Sequence, residues 1–224
     1  MSWRERAPAR LENEYVRLTP VAEADREPIR EIAMDPDIWR YFVSRVDSDE
    51  DFTAFFDAML ADHAAGRRVV FVVTDKRPGR TAGSMSFGNL SEPDRRLEIG
   101  WSWLGRDFRG QGVNRWAKYL LLRHAFQVLG AERVEFKTDV LNLQARAGLR
   151  NIGAVEEGVL RSFNPMPDGR RRDAVYYSVL RREWPEVEAA LATRPKVEAA
   201  LATRPKVDAA LATRPEVDAA SGAG

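Results

Sequence analysis

Hydrophobic and polar positions change period several times along the chain, and the changes divide it into strands and helices. Residues 15–21 read as a first strand. A helix over 22–34 follows, and it must stop before Asp35-Pro36, because a residue preceding proline is driven out of helical conformation. Ser48 followed by Asp51 has the form of a helix start, and Phe52, Phe55, Phe56, Met59 and Leu60 then recur on one helical face of 49–65 until Gly66 closes it. The run 68–74 is apolar without interruption, as a strand buried on both faces would be. Strands over 82–90 and Arg96–Leu104 are separated by the turn signal Ser91-Glu92-Pro93-Asp94. The clearest helical periodicity lies in 113–129 and ends at Gly130; Arg133–Asp139 alternates as a strand, and 142–152 reads as a short helix. Two further strands flank a loop at 163–169 that contains proline and glycine. Helices interleaved with seven strands in the order βααβββαβαββ predict an α/β (α+β) fold, a mixed sheet covered by helices on its faces.

The C-terminal pattern is different. From Pro185 a ten-residue unit recurs as PEVEAALATR, PKVEAALATR and PKVDAALATR, then PEVDAA, with prolines at 185, 195, 205 and 215. A proline every ten residues fits the first turn of a short helix and breaks any longer one. The expected division is a folded domain over 1–194 and a low-complexity tail over 195–224, helical or disordered. That tail is either a solvated extension of a terminal helix or an arm that binds a partner.

Composition narrows the chemistry. Lys plus Arg (35) nearly equals Asp plus Glu (34), so the net charge of +1 gives no support to nucleic-acid binding. Cysteine is absent, which excludes disulfides, cysteine zinc sites, iron–sulfur clusters and thiol nucleophiles. With His63 and His124 as the only histidines, no metal centre is expected. No apolar run approaches the ~18–20 residues of a membrane helix, and the N-terminus has no apolar segment of signal-peptide type. A cytoplasmic protein without membrane contacts is the expectation.

The stretch Leu97-Glu-Ile-Gly-Trp-Ser-Trp-Leu104, followed by Gly-Arg-Asp-Phe-Arg109-Gly-Gln-Gly-Val-Asn114 and a helix, carries the candidate chemistry. A glycine turn between a strand and a helix start aims backbone N–H groups at an anion, and the helix dipole favours negative charge there. The spacing matches neither the P-loop nor the dinucleotide fingerprint. This turn, with Glu98-Ile-Gly-Trp before it, Asn142 with Ala145, Gly153-Ala154, and Arg172-Asp173-Ala-Val-Tyr-Tyr-Ser, resembles the GNAT N-acetyltransferases. The resemblance covers about residues 11–184 and is nearest to the branch that acetylates ribosomal-protein N-termini.

The resemblance implies a mostly antiparallel sheet of about seven strands in which the fourth and fifth splay apart. It implies acetyl-coenzyme A as co-substrate and direct transfer of its acetyl group to a primary amine, either a protein N-terminus or a small amine. It also adds a homodimer to the expectations. The pantetheine arm would pair with backbone around Trp101, Ser102, Trp103 and Leu104, and the phosphates would sit at Arg109, Gly110, Gln111, Gly112, Val113 and Asn114. Asn142 would reach the arm from the next helix. Asn114 departs from the motif, which usually has Gly or Ala there.

An acceptor amine must be neutral to attack, so a base is useful. Simple alternation puts Glu98, Gly100 and Ser102 on one face of their strand and Ile99, Trp101 and Trp103 on the other. Glu98 is the candidate base; the alternative is a structural carboxylate paired with Arg95, Arg96 or a neighbouring basic residue. The positions where the family places a general acid hold Ala145 and Leu149, which donate no proton, leaving Ser102, Tyr176 or water. A thiolate of pKa about 8.5 can also leave unassisted. Trp39, Tyr41 and Phe42 line either the core or the acceptor pocket. Trp116 and Tyr119 read as packing residues, His124 as packing or solvent-facing, and His63 as a cation at a helix C-terminus. The run Arg170-Arg171-Arg172 is a solvated loop or a receiver for an acidic acceptor. Two other classes stay open: a binding module that holds acyl-coenzyme A without turnover, and an assembly protein acting through the repeats.

Overall fold

The computed structural model describes residues 2–6, 8 and 10–193; the repeat tail beyond that lies outside the described residues. One sheet of eight strands forms the frame: β1 (Leu11–Glu12), β2 (Val16–Pro20), β3 (Arg68–Asp75), β4 (Arg80–Ser91), β5 (Arg96–Leu104), β6 (Arg133–Asp139), β7 (Val155–Pro165) and β8 (Arg171–Leu180). Their spatial order is β1-β2-β3-β4-β5-β6-β8-β7. Every neighbouring pair is antiparallel except β5 with β6. The strand beyond the expected seven is β1, two residues paired to β2 and too short to show a period. β7 also runs farther than the pattern suggests, taking Phe163 into the sheet.

Helices cover both faces. α1 (Arg26–Ala33) and α2 (Asp49–Ala64) pack on one; α3 (Val113–Arg123), prolonged by a π-helical stretch His124–Leu129, packs on the other with α4 (Leu143–Asn151) and α5 (Trp184–Ala192). β3 shows why its apolar run is unbroken: Val70 and Val72 join the α1/α2 core, while Val69, Phe71 and Val73 join the α3 core. Each such side chain stabilises the fold by roughly 1.5–3 kcal/mol.

Local signals set the helix ends. Ser48 Oγ accepts the Asp51 N–H at 3.1 Å at the start of α2. At its other end Arg4 donates to the carbonyls of Ala64 and Ala65. His63 therefore does not serve as the terminal cation: its Nδ1 accepts the Val70 N–H at 3.2 Å, and burial followed by the Arg4 charge pushes its pKa down. His124, against Phe87 and bonded to the Arg6 carbonyl, packs as expected. The first repeat unit is not an appendage. Trp184, Val187 and Leu191 are buried in the α3 core, and Arg115 donates to the carbonyls of Ala190, Leu191 and Thr193. Among the described residues no helix is long and apolar enough to cross a membrane.

Candidate active site

The site arises where the sheet parts. β5 pairs with β6 only through Arg96–Glu98 against Arg133–Glu135. β8 keeps β6 paired over its full length, so the two strands diverge from Ile99 and Phe136 onward. On its other side β5 carries a bulge. Ser84 pairs with Trp103 but Ser86 with Gly100, which leaves one extra residue in β5. Trp101 absorbs it at φ 48, a conformation that costs a non-glycine residue roughly 1–3 kcal/mol.

The bulge overturns the simple alternation. The Trp101 ring lies under the Arg68 guanidinium, 4.7 Å from Cζ to centroid, and covers Gly88, where an added Cβ would stand 2.3 Å from Trp101 Cζ3. Arg68, Gly88 and Glu98 are register partners, so Trp101 shares the face of Glu98. Trp103 joins the same α1/α2 side, and Ile99 belongs to the α3 core. Ser102 Oγ donates to the Gly100 carbonyl at 3.3 Å.

Glu98 occupies the last paired position, only 4% exposed. Its Oε2 accepts from Asn89 Nδ2 at 2.6 Å and from Lys137 Nζ at 3.5 Å. Asn89 sits at a second bulge, φ 48, which points its amide at the carboxylate. Of the partners expected for a structural Glu98, Arg95 and Arg96 bond instead to the Gly130 carbonyl and to Glu132, Asp94 and Glu135, and the neighbouring basic residue that pairs with it is Lys137. Beside Glu98 lie Lys137, Phe163, Tyr176 and Arg172. Burial first, then Glu98 and Glu135, pushes the Tyr176 hydroxyl up. Arg172 is not solvated: it is 8% exposed, its Nε has no hydrogen-bond partner, and burial pulls its pKa down. Arg170 does pair, with Asp139 and Asp168, and Arg171 bonds to Ser162.

At the open end of β5 the chain turns through Arg109–Gly112 into α3. Arg109 Nε donates to the Leu104 carbonyl at 3.0 Å, which anchors its guanidinium at the turn. Gly110 and Gly112 adopt φ 71 and 82, and Gly112 is the N-cap of α3. The N–H groups of the first helical turn have no intrahelical acceptors, so Val113 and Asn114 add donors to an exposed Gly110-Gln111 cradle. Asn142 caps α4, its Oδ1 accepting the Ala145 N–H at 3.0 Å. Leu149, one of the two positions lacking an acid, is buried in the core.

A family model described as Acetyltransferase (GNAT) domain matches residues 16–155. The chain belongs to the GNAT acetyltransferase family. A Bacillus subtilis (strain 168) relative named "Putative ribosomal N-acetyltransferase YdaF" is 38% identical over 106 residues, 47% of this chain and 57% of its own length. The match thus spans less than two thirds of that relative. A solved structure from T. thermophilus, described as a putative acetyltransferase, is 38% identical with a TM-score of 0.75, covering 83% of this chain and 96% of that one. The ribosomal-protein-S5-alanine acetyltransferase of Vibrio fischeri, 20% identical with a TM-score of 0.65 over 79% of this chain and 99% of that one, shares the fold.

As a GNAT acetyltransferase the chain has an acyltransferase's architecture, with a splayed strand pair, a buried carboxylate at its apex, and a glycine turn into α3 at its mouth. The contributions of Asn89 and Lys137 were not singled out by the sequence. No local motif marks them, because they meet the site through sheet register. Among the described residues no group of His, Cys, Asp and Glu is arranged to hold a metal ion.

Proposed function

We propose that the chain is an acetyl-coenzyme A-dependent N-acetyltransferase acting on the amino terminus of a peptide or protein. The observation that carries the reading is Glu98, buried at the apex of the splay with its carboxylate held by Asn89 and Lys137. A carboxylate fixed there takes a proton from an incoming ammonium on the α1/α2 side, directly or through water. Backbone N–H groups of β5 beyond Glu98, freed from β6, are suited to hold the pantetheine arm and the developing oxyanion. The Arg109–Asn114 turn fits the phosphates: its glycines leave the backbone open, and an added Cβ at Gly110 would meet nothing within 4 Å.

The acceptor side favours a peptide over an enclosed small amine. Beyond α1 and α2 the Glu98 face of the sheet continues onto β8 and β7, where Phe163 and Leu160 are 38% and 50% exposed. Such an open apolar shelf suits an extended chain, with Arg172 beside it to receive a carbonyl or an acidic side chain. Calorimetric titration with acetyl-coenzyme A tests the donor, and an acceptor screen over N-terminal peptides and small amines tests the acceptor. Binding by the wild type and turnover with peptides support the reading. Absence of binding to the folded protein refutes it, and turnover with small amines alone refutes the peptide assignment.

A further inference from the structure

Lys118 is a buried charge that the reading above leaves unused. It lies on α3, one turn beyond Asn114, and is only 7% exposed. Its Nζ donates to Asn114 Oδ1 at 2.9 Å and stands 5.9 Å from the centroid of the Phe136 ring. Among the described residues no carboxylate pairs with it. A buried ammonium held by one neutral amide is short of an anion.

Its place in the fold says which anion. Phe136 directly follows Glu135, the last residue of β6 paired to β5, so Lys118 lies at the apex of the splay from the α3 side. Glu98 stands at the same apex on the opposite face. Asn114 Nδ2 comes within 3.7 Å of where a Gly148 Cβ would be, so this pair sits between α3 and α4. The departure from the motif at Asn114 thereby acquires a role: its oxygen holds the ammonium.

Resting on the acetyl-coenzyme A reading, we infer that Lys118 is the general acid of the reaction, with Asn114 as its positioning residue. The amine lone pair attacks the acetyl carbonyl carbon and the carbon–sulfur bond breaks with its electron pair on sulfur. Lys118 Nζ then gives a proton to that sulfur, which leaves as the thiol, while Glu98, having passed the proton of the incoming ammonium to solvent, takes the proton that the amine loses on acylation. Neutral Lys118 is recharged from solvent. Burial holds the ammonium down to about 8, beside the ~8.5 of a thiol, so the transfer is nearly balanced.

The test compares coenzyme A with its analogue lacking the sulfur, by calorimetry on the full chain in buffers of different ionisation enthalpy. The wild type should prefer coenzyme A by about tenfold or more, the worth of a hydrogen bond to a charged group, and release a proton on binding. Lys118→Met should bind both ligands alike, with the analogue's affinity unchanged. Asn114→Asp, which gives the ammonium an internal partner, should also lose the preference while keeping the lysine. In turnover, Lys118→Met should lower kcat about tenfold or more at unchanged KM for acetyl-coenzyme A and lose the decline above about pH 8. An unchanged preference in Lys118→Met, or an equal loss for both ligands, overturns the assignment. A folded wild type that binds neither ligand overturns the acetyl-coenzyme A reading beneath it.

Discussion

Replacing Lys118 by Met should make the protein more stable and slower. Burial shifts the ammonium from its ordinary 10.5 down to about 8. At pH 7 the folded state therefore carries a charge that it disfavours by about 3 kcal/mol. Methionine has a similar length and no charge to desolvate, but it leaves Asn114 Oδ1 without its donor, a loss of about 1 kcal/mol. The expected net gain is about 2 kcal/mol, or roughly 4–8 °C in Tm for a domain of this size. The pH dependence has a definite sign. Between about 8 and 10.5 the unfolded lysine holds a proton that the folded one has lost, so wild-type stability rises with pH through that window. The variant has no such contribution, and its advantage should shrink from pH 7 to pH 10. Urea unfolding of both proteins at the two pH values measures this, because other titrations cancel in the difference. A variant no more stable at pH 7, or an advantage that does not shrink, would show that an anion already compensates Lys118.

Three further outcomes are expected. Gly112→Glu should remove acetyl-coenzyme A binding in calorimetry, whereas Gly112→Ala, equally strained at φ 82 by about 1–3 kcal/mol, should retain it; loss in both would make the effect one of folding. Glu98→Gln should lower kcat about a hundredfold with acetyl-coenzyme A affinity intact, and full activity in steady-state assays would remove Glu98 from the chemistry. Trp184→Ala, at a ring that is 5% exposed and 5.4 Å from Phe126 centroid to centroid, should cost about 3–5 kcal/mol in urea unfolding. A loss under 1 kcal/mol, roughly what a surface position gives, would place α5 outside the core.

What the sequence made legible follows from the range of the interactions involved. The uninterrupted apolar run of β3 and the Ser48 cap of α2 record burial and capping within a few residues, and both stand in the structure. The glycine turn before α3 is equally local. Alternation failed in β5 because it assumes an unbroken pleat, and one residue in left-handed conformation moves Trp101 to the other face. Of the basic partners expected for Glu98, the two that were named were wrong for a related reason, while the unnamed neighbouring basic residue proves to be Lys137. Nearness in sequence suggested Arg95 and Arg96, whereas sheet register brings Asn89 and Lys137. Lys118 was invisible as an isolated lysine in a helix that otherwise packs its apolar face, since its burial depends on where α4 and β6 lie.

Both charged groups at the apex depend on the same three-residue pairing of β5 with β6. Had the strands stayed paired past Glu98 and Glu135, the backbone groups of Ile99 to Leu104 facing β6 would be spent on a ladder, with no gap between the strands. Because they part there, Glu98 would meet the gap from the α1/α2 face, and in the proposed mechanism Lys118, bonded to Asn114 and beside the Phe136 ring, would meet it from the α3 face. The two carry opposite charge, and the body of the sheet keeps them from pairing with each other. Glu98 is neutralised in part by Lys137, while among the described residues Lys118 is hydrogen-bonded to the Asn114 amide and to no carboxylate. That asymmetry fits the roles proposed above, a carboxylate that serves successive acceptors and an ammonium that meets a single negative sulfur. The cost of leaving Lys118 unpaired in the folded protein is the same quantity that Lys118→Met should recover as stability, which ties the mechanism and the unfolding measurement to one number.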